Sequence, residues 1–283
     1  MHRAKTLTAM PQPAILTIGG RSFSADLGQA HDLAIAQDFD GTQPRWFGAP
    51  PSRSAPLVSG TFTGRVGTGG SCNCSTLSLT PHCDGTHTES AGHLTAERLD
   101  VRSVVPIGFL PALLLTVTPT PVSRDGERSV PAPTAGDLLI TRAALLQSWP
   151  AALPYAPRAL VVRTRPNSPD KRRRDYQVQP APFLSLPAAA LLVERGIEHL
   201  VLDVPSADRA SDQGLLTAHR EFFGLPAGET ALVAVRRPQC TITELAYVDD
   251  AVPDGAYLLS LQIPSLGGDA VPSRPLLYAV RAQ

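Results

Sequence analysis

The stretch from Thr80 to His93 constrains this chain more than any other. It carries three of the seven histidines, one of the four cysteines and the carboxylates of Asp84 and Glu89. His82, Cys83, His87, Glu89 and His93 are residues of the kind that ligate zinc or manganese, or move protons beside such an ion. Helical spacing does not explain the pattern, because His82 and His87 are separated by i+5 and a helix brings i and i+4 together. In an extended segment His87, Glu89 and His93 share parity and point to one face of a sheet. Gly85 sits where a tight turn lets the groups on either side converge. Histidine, cysteine and acid clustered at ligand spacing imply a metal or proton-transfer site rather than an idle polar loop.

The rest of the composition narrows the setting. A chain of 283 residues with 43% hydrophobic and 18% charged residues has material for an ordinary globular core. Its 25 basic and 25 acidic residues balance, which removes any general attraction to nucleic acid or an anionic membrane. The one basic run, Lys171-Arg172-Arg173-Arg174, reads as a solvated loop. No apolar stretch reaches the roughly 20 residues that span a bilayer, and no apolar run follows the charged Met1–Lys5 segment as in a signal peptide. Cys72 and Cys74 are too close for a Cys-x-x-Cys pair, and four cysteines make no disulfide framework, so a reduced, cytoplasmic protein is expected. A redox- or metal-sensing role would need Cys72, Cys74 and Cys83 to lie together.

The 28 prolines are spread along the chain, implying many turns and short elements and excluding a helical bundle. Residues 13–27 read as short strands around Gly19-Gly20. Residues 38–60 read as a loop bearing Trp46 and Phe47, a pair that walls a pocket for a planar substrate or forms a satellite core. Strands are expected at 61–66, 75–79, 101–106, 112–117, 158–164 and 199–203, with surface connections at 119–133 and 165–182. Thr141 is placed to cap one helix, and 185–196 has amphipathic spacing closed by Gly196. A helix followed by a buried strand argues for an α/β arrangement. His2, His31 and His199 are taken as structural or surface residues.

Gly85-Thr86-His87-Thr88-Glu89 through His93 resembles the His-x-Gly-Thr-His-x-Asp-x-Pro-x-His signature of the cyclase family, which includes bacterial kynurenine formamidases and isatin hydrolases. Glu89 stands in place of Asp, Ala91 in place of Pro, and one extra residue precedes Gly85. The first ligand position therefore falls to His82, favoured because imidazole suits an oxygen-rich site, or to Cys83. Asp26-Leu27 matches the opening strand, and later segments match in order: the Arg158–Thr164 strand, Asp203-Val204-Pro205-Ser206, Ala218-His219, Ile242-Thr243-Glu244-Leu245 and Pro272-Ser273-Arg274. Asp203 is equally a structural cap and a site residue.

The resemblance implies one α/β domain over 1–283, with a mixed, barrel-like sheet, flanking helices and an N-terminal extension with strands at 1–25. It further implies one or two zinc or manganese ions held by His82, His87, Glu89, His219 and Glu244, with Glu89 able to bridge. His93 becomes the general acid–base and a homo-oligomer the expected assembly, while the aromatic pair Trp46 and Phe47 on its Pro-rich loop is read from the residues themselves as the substrate contact. The implied activity is hydrolysis of an amide-like bond in a small aryl formamide or cyclic amide. The alternative from another class is a non-catalytic metal-binding protein on the same fold. A serine hydrolase built on Ser206 and Asp203 lacks a Gly-x-Ser-x-Gly elbow.

Overall fold

Four short apolar segments dictate the centre of the molecule. A computed structural model describes residues 12–122 and 127–283, so His2 and the first 11 residues of the 1–25 extension lie outside the described residues. Ten strands form one sheet: β1 (Pro13–Ile18), β2 (Arg21–Asp32), β3 (His87–Glu89), β4 (Leu110–Val117), β5 (Ala159–Thr164), β6 (His199–Leu202), β7 (Thr241–Glu244), β8 (Gly255–Gln262), β9 (Ala270–Pro272) and β10 (Arg274–Ala282). Their spatial order is β1-β2-β10-β8-β4-β5-β6-β7-β3-β9. Strands β4, β5, β6 and β7 are mutually parallel. Burial on both faces explains why β4, β5 and β6 are rich in Leu and Val without alternation.

Each step between parallel strands passes through a helix: α2 (Arg142–Ser148), α3 (Leu186–Glu194) and α4 (Thr217–Phe223), while α1 (Pro81–Asp84) is a single turn in the histidine-rich stretch. Side chains of α2, α3 and α4 share one core with alternate strand positions, Leu113, Leu115, Leu160, Val162, Leu200 and Leu202. The opposite strand face packs Leu114, Val161 and Val201 against Leu33, Val248 and Val252. The helix starts are set by side-chain caps: Thr141 Oγ1 accepts from Ala144 N at 3.1 Å, and Ser185 Oγ accepts from Ala188 N at 3.1 Å. Gly196, at φ 71°, takes the left-handed conformation that closes α3.

Several expectations need correction. Residues 101–106 are not a strand: Asp100 accepts from Arg102 N and turns Val101–Ser103 into a 3₁₀ helix. The strand at 61–66 shrinks to Phe62–Thr63, and Val66–Thr68 is a 3₁₀ turn. The loop at 38–60 contains short strands at Arg53–Pro56 and Val58–Ser59, and the 119–133 connection contains Thr120–Pro121. The basic run is not wholly solvated, because Lys171 is only 3% exposed. Its ammonium donates to Asp203 Oδ2 at 2.7 Å and to Thr164 O and Oγ1, both at 2.8 Å. Burial works against both charges, pushing Asp203 up and Lys171 down, and their mutual attraction opposes it. Asp203 is thus occupied as a structural residue that ties the 165–182 segment to the end of β6.

Removing one member of this pair leaves the other charge buried alone. Lys171→Met is expected to destabilise the fold by about 3–5 kcal/mol in a denaturant titration, and a loss under about 1 kcal/mol would show the pair to be dispensable. His199 gives a second expectation. It is buried against Thr241 Oγ1 at 2.9 Å, and burial pushes its pKa from 6.5 to about 4. The folded state then binds fewer protons than the unfolded chain between those values. Stability is complete above about pH 6.5 and falls as the pH drops toward 4, by up to roughly 3 kcal/mol. Stability measured across that window should flatten in His199→Asn; an unchanged slope would place the acid sensitivity elsewhere.

Candidate functional site

Strand register assembles the site. β3 and β7 are antiparallel neighbours with His87 opposite Glu244 and Glu89 opposite Ile242. Residues directly opposite, and residues two apart, share a face, so His87, Glu89 and Glu244 emerge on one side of the sheet. Thr88 and Thr243 emerge on the other and hydrogen-bond at 2.7 Å. Thr86 pins the start of β3: its hydroxyl contacts Leu245 O at 2.5 Å and accepts from Ile35 N at 2.7 Å. Glu244 ends a parallel strand, and the loop after β6 and the start of α4 lie beside it. Open α/β sheets bind ligands in this position, beyond the carboxyl ends of their strands.

The histidine-rich stretch is extended only from His87 to Glu89, so the shared parity of His93 is not what brings it in. Ser90 Oγ accepts from Gly92 N and caps a 3₁₀ turn over Ala91–His93. His82 rides on the one-turn helix α1. Gly85 is extended (φ 175°) rather than left-handed. What it supplies is close approach, because a Cβ there would stand 3.0 Å from Gln37 Nε2.

These turns bring six predicted residues together. His82 Nε2 lies 3.5 Å from Glu89 Oε2 and His87 Nε2 lies 3.5 Å from Glu244 Oε2. His219 Nε2 lies 2.9 Å from Glu89 Oε1 and 3.4 Å from Glu244 Oε1. The His93 ring stacks on that of His82 with centroids 4.4 Å apart. Donor atoms of His82, Glu89 and His93 fall within 4.8 Å of one another, as do those of His87, Glu89 and Glu244, so Glu89 belongs to both groups. Neither group includes a cysteine among the described residues; Cys83 borders the same cavity, and burial pushes its thiol up to about 11.

Two carboxylates missed in the sequence hold this set. Asp208 Oδ2 accepts from His219 Nδ1 at 2.7 Å and from His219 N at 3.0 Å, and Oδ1 accepts from Ala218 N at 2.9 Å. Asp269, just before β9, lies 3.1 Å from His82 Nε2 and 3.5 Å from His93 Nδ1. A third orienting group is the Gly85 carbonyl, which accepts from His87 Nδ1 at 3.0 Å. With Nδ1 engaged, His87 and His219 each turn Nε2 inward. Nothing in local sequence marks Asp208 or Asp269; only their fold positions do.

Charge in the cluster alternates. Burial drives His87 and His219 downward, but Glu244 and Glu89 outweigh it and leave both imidazoles above their usual pKa, His219 well above. Glu89 raises His93 against the opposing effect of burial. Burial likewise raises Glu89 and Glu244, and the surrounding histidines reverse this and keep both below the usual carboxylate range. A cluster so arranged can bind a cation, exchanging protons for it. Five of its buried atoms, His82 Nε2, His87 Nε2, His219 Nε2 and both Glu89 oxygens, have no hydrogen-bond partner among the described residues. Buried polar atoms seldom go unpaired, and five converging ones fit the donor set of a divalent cation.

The cluster forms the floor of a cavity of about 300 Å³. Trp46 and Phe47 both line it, Phe47 at a 72% exposed rim. Ser206 also lines it, but its hydroxyl accepts from Asp208 N at 3.2 Å and Asp203 is committed to Lys171, so among the described residues these two form no Ser–His–Asp relay.

The Cyclase family model matches residues 31–209. The chain belongs to the cyclase family. Among solved structures, one described as a predicted metal-dependent hydrolase from Bacillus stearothermophilus is 17% identical, with TM-score 0.54, over 88% of this chain and 98% of that one. Isatin hydrolase A from Labrenzia aggregata is 13% identical, with TM-score 0.55, over 89% and 93% of the two chains. Isatin hydrolase A from Ralstonia solanacearum is 14% identical, with TM-score 0.55, over 89% and 92%. At these identities the likeness is one of fold: a single α/β domain built on a large mixed sheet. No curated protein matches the chain at a significant level.

Asp208 both starts α4 and holds a buried imidazole. Asp208→Ala should cost about 2 kcal/mol in chemical denaturation, above the ordinary loss of a cap, because His219 is also left without its acceptor. A cost below about 0.5 kcal/mol would mean that other groups take over both roles.

Proposed function

We propose that the protein is a metal-dependent hydrolase of an amide-like bond, acting on a small aryl formamide or a cyclic amide. The observation that carries this reading is the set of buried, unpaired nitrogen and oxygen atoms converging on Glu89. His82, His87, Glu89, His219 and Glu244 would hold one or two ions, with His82 preferred to Cys83 because its imidazole, not the thiol, lies among the other donors. Imidazole and carboxylate donors suit zinc or manganese. When bound, such an ion supplies Lewis-acid activation of a water and of the substrate carbonyl.

The chain's own groups do the rest. His93 is the general acid–base: it takes a proton from the attacking water as the carbon–oxygen bond forms, and delivers it to nitrogen as the carbon–nitrogen bond breaks. Asp269, 3.5 Å from His93 Nδ1, holds that ring. Trp46 and Phe47 offer flat apolar surface to an aryl or fused-ring substrate and shield the reacting groups from bulk water. Membership of the cyclase family and two isatin hydrolases among the structural neighbours support this choice of reaction. No helix among the described residues is long and apolar enough to cross a membrane. The proposed assembly is a homo-oligomer and the proposed location the cytoplasm.

The deciding measurement is metal content of wild type and His87→Ala, paired with hydrolysis of a panel of aryl formamides and lactams. One or two ions per chain, lost in the variant, with hydrolysis abolished by chelator and by His93→Ala, is the expected result. Bound metal without hydrolysis of any amide or lactone would favour the binding-protein alternative. No metal in either protein after reconstitution with zinc and manganese would remove the site.

A further inference from the structure

We propose that Arg209 selects substrates bearing an anionic group, a carboxylate or sulfonate, at the end remote from the scissile carbonyl; this rests on the hydrolase reading above. Arg209 follows β6 and lines the cavity above the histidine–carboxylate floor, where it is the one arginine or lysine among the lining residues. It also lines a second cavity of about 430 Å³, bounded by Tyr176 and Gln177. Trp46, Arg209 and Ala210 belong to the walls of both cavities, so Arg209 borders each of them.

The guanidinium is held in place without being used up. Nη1 donates to Asp137 Oδ2 at 2.8 Å, and the same oxygen accepts from Thr134 N at 2.7 Å and Thr134 Oγ1 at 3.0 Å. That is its one hydrogen bond among the described residues, and the side chain is 17% exposed. Arginine offers five N–H groups in a planar fork, and pairing at one nitrogen leaves an edge free for a second anion. The other acid nearby does not compete: Asp212 accepts from Gly214 N at 2.8 Å with Oδ1 and from Leu216 N at 2.6 Å with Oδ2. An aryl amide with its carbonyl at the floor and its ring along Trp46 brings a ring substituent to the free edge of Arg209. Neutral amides fill the same space but leave that edge unpaired, and a site built for a charged partner discriminates by the missing contact.

The test uses zinc-loaded wild type, Arg209→Met and Arg209→Lys with two substrates that differ in charge, formanilide and 3-formamidobenzoate. Benzenesulfonate, a poor metal ligand, is the non-reacting probe, measured by calorimetry. In wild type the anionic formamide should have the higher kcat/KM. Arg209→Met should reduce that preference about tenfold or more, through KM, and weaken benzenesulfonate binding by a similar factor. Arg209→Lys keeps Asp137 paired but loses the fork; it should retain part of the preference, and it replaces Arg209→Met as the readout if that variant does not fold. An equal preference and equal sulfonate affinity in wild type and variants would overturn the proposal. Loss of sulfonate binding on substitution, with neither formamide cleaved, would keep the anion site and discard the hydrolase. Cleavage of both formamides without charge preference would do the reverse.

Discussion

Glu89 is a carboxylate with no exposed surface and no hydrogen bond to either oxygen among the described residues. Such a group costs several kcal/mol unless cations surround it. Burial alone would raise its pKa; His93 and His219 hold it low instead. Much else in the site follows from that requirement. The pairing of β3 with β7 fixes where Glu89 points, and α1, the Ala91–His93 turn and the start of α4 each deliver an imidazole toward it. The fold keeps an ionised group buried one strand in from the edge of its sheet, and the arrangement of neighbours is the compensation.

Two kinds of support meet around that carboxylate. His87, Glu89 and Glu244 are strand residues locked by the ladder, and the Glu244 oxygen nearest α4 is fixed further by Ala207 N at 2.6 Å. His82, His93 and His219 sit on single turns or at a helix start, where backbone geometry is less constrained, and for two of them a carboxylate does the fixing: Asp269 at Nδ1 of His93 and Asp208 at Nδ1 of His219. The strand residues need few side-chain partners because the sheet orients them. Outer acids therefore appear where regular structure gives out.

That division also explains how far the sequence could be read. The parallel strands, the caps at Thr141 and Ser185 and the cluster from His82 to His93 carry local signals: apolar runs, a hydroxyl ahead of a helix, ligand-type residues at short spacing. Asp208 and Asp269 carry none, because their meaning lies in contacts with residues 11 positions away in one case and about 180 in the other. Lys171 misled for the same reason. In sequence it heads a basic run between prolines and aspartates, and only the placement of Asp203 at the end of β6 turns it inward. The strand expected at 101–106 failed differently: Val101, Val104 and Val105 have strand propensity, and the Asp100 cap overrides it locally.

The length of the Glu89 side chain sets how far this buried carboxylate reaches. An aspartate at this place on β3 would carry its oxygens one methylene nearer the strand. From the longer arm, Oε1 reaches 2.9 Å from His219 Nε2 on one side while Oε2 reaches 3.5 Å from His82 Nε2 on the other. His82 arrives from the single turn of α1, outside the strand ladder, so its distance from the acid depends on the reach of the acid as well as on the turn. Shortening Glu89 to aspartate would leave His82 facing it across a wider gap, with a buried charge less well compensated.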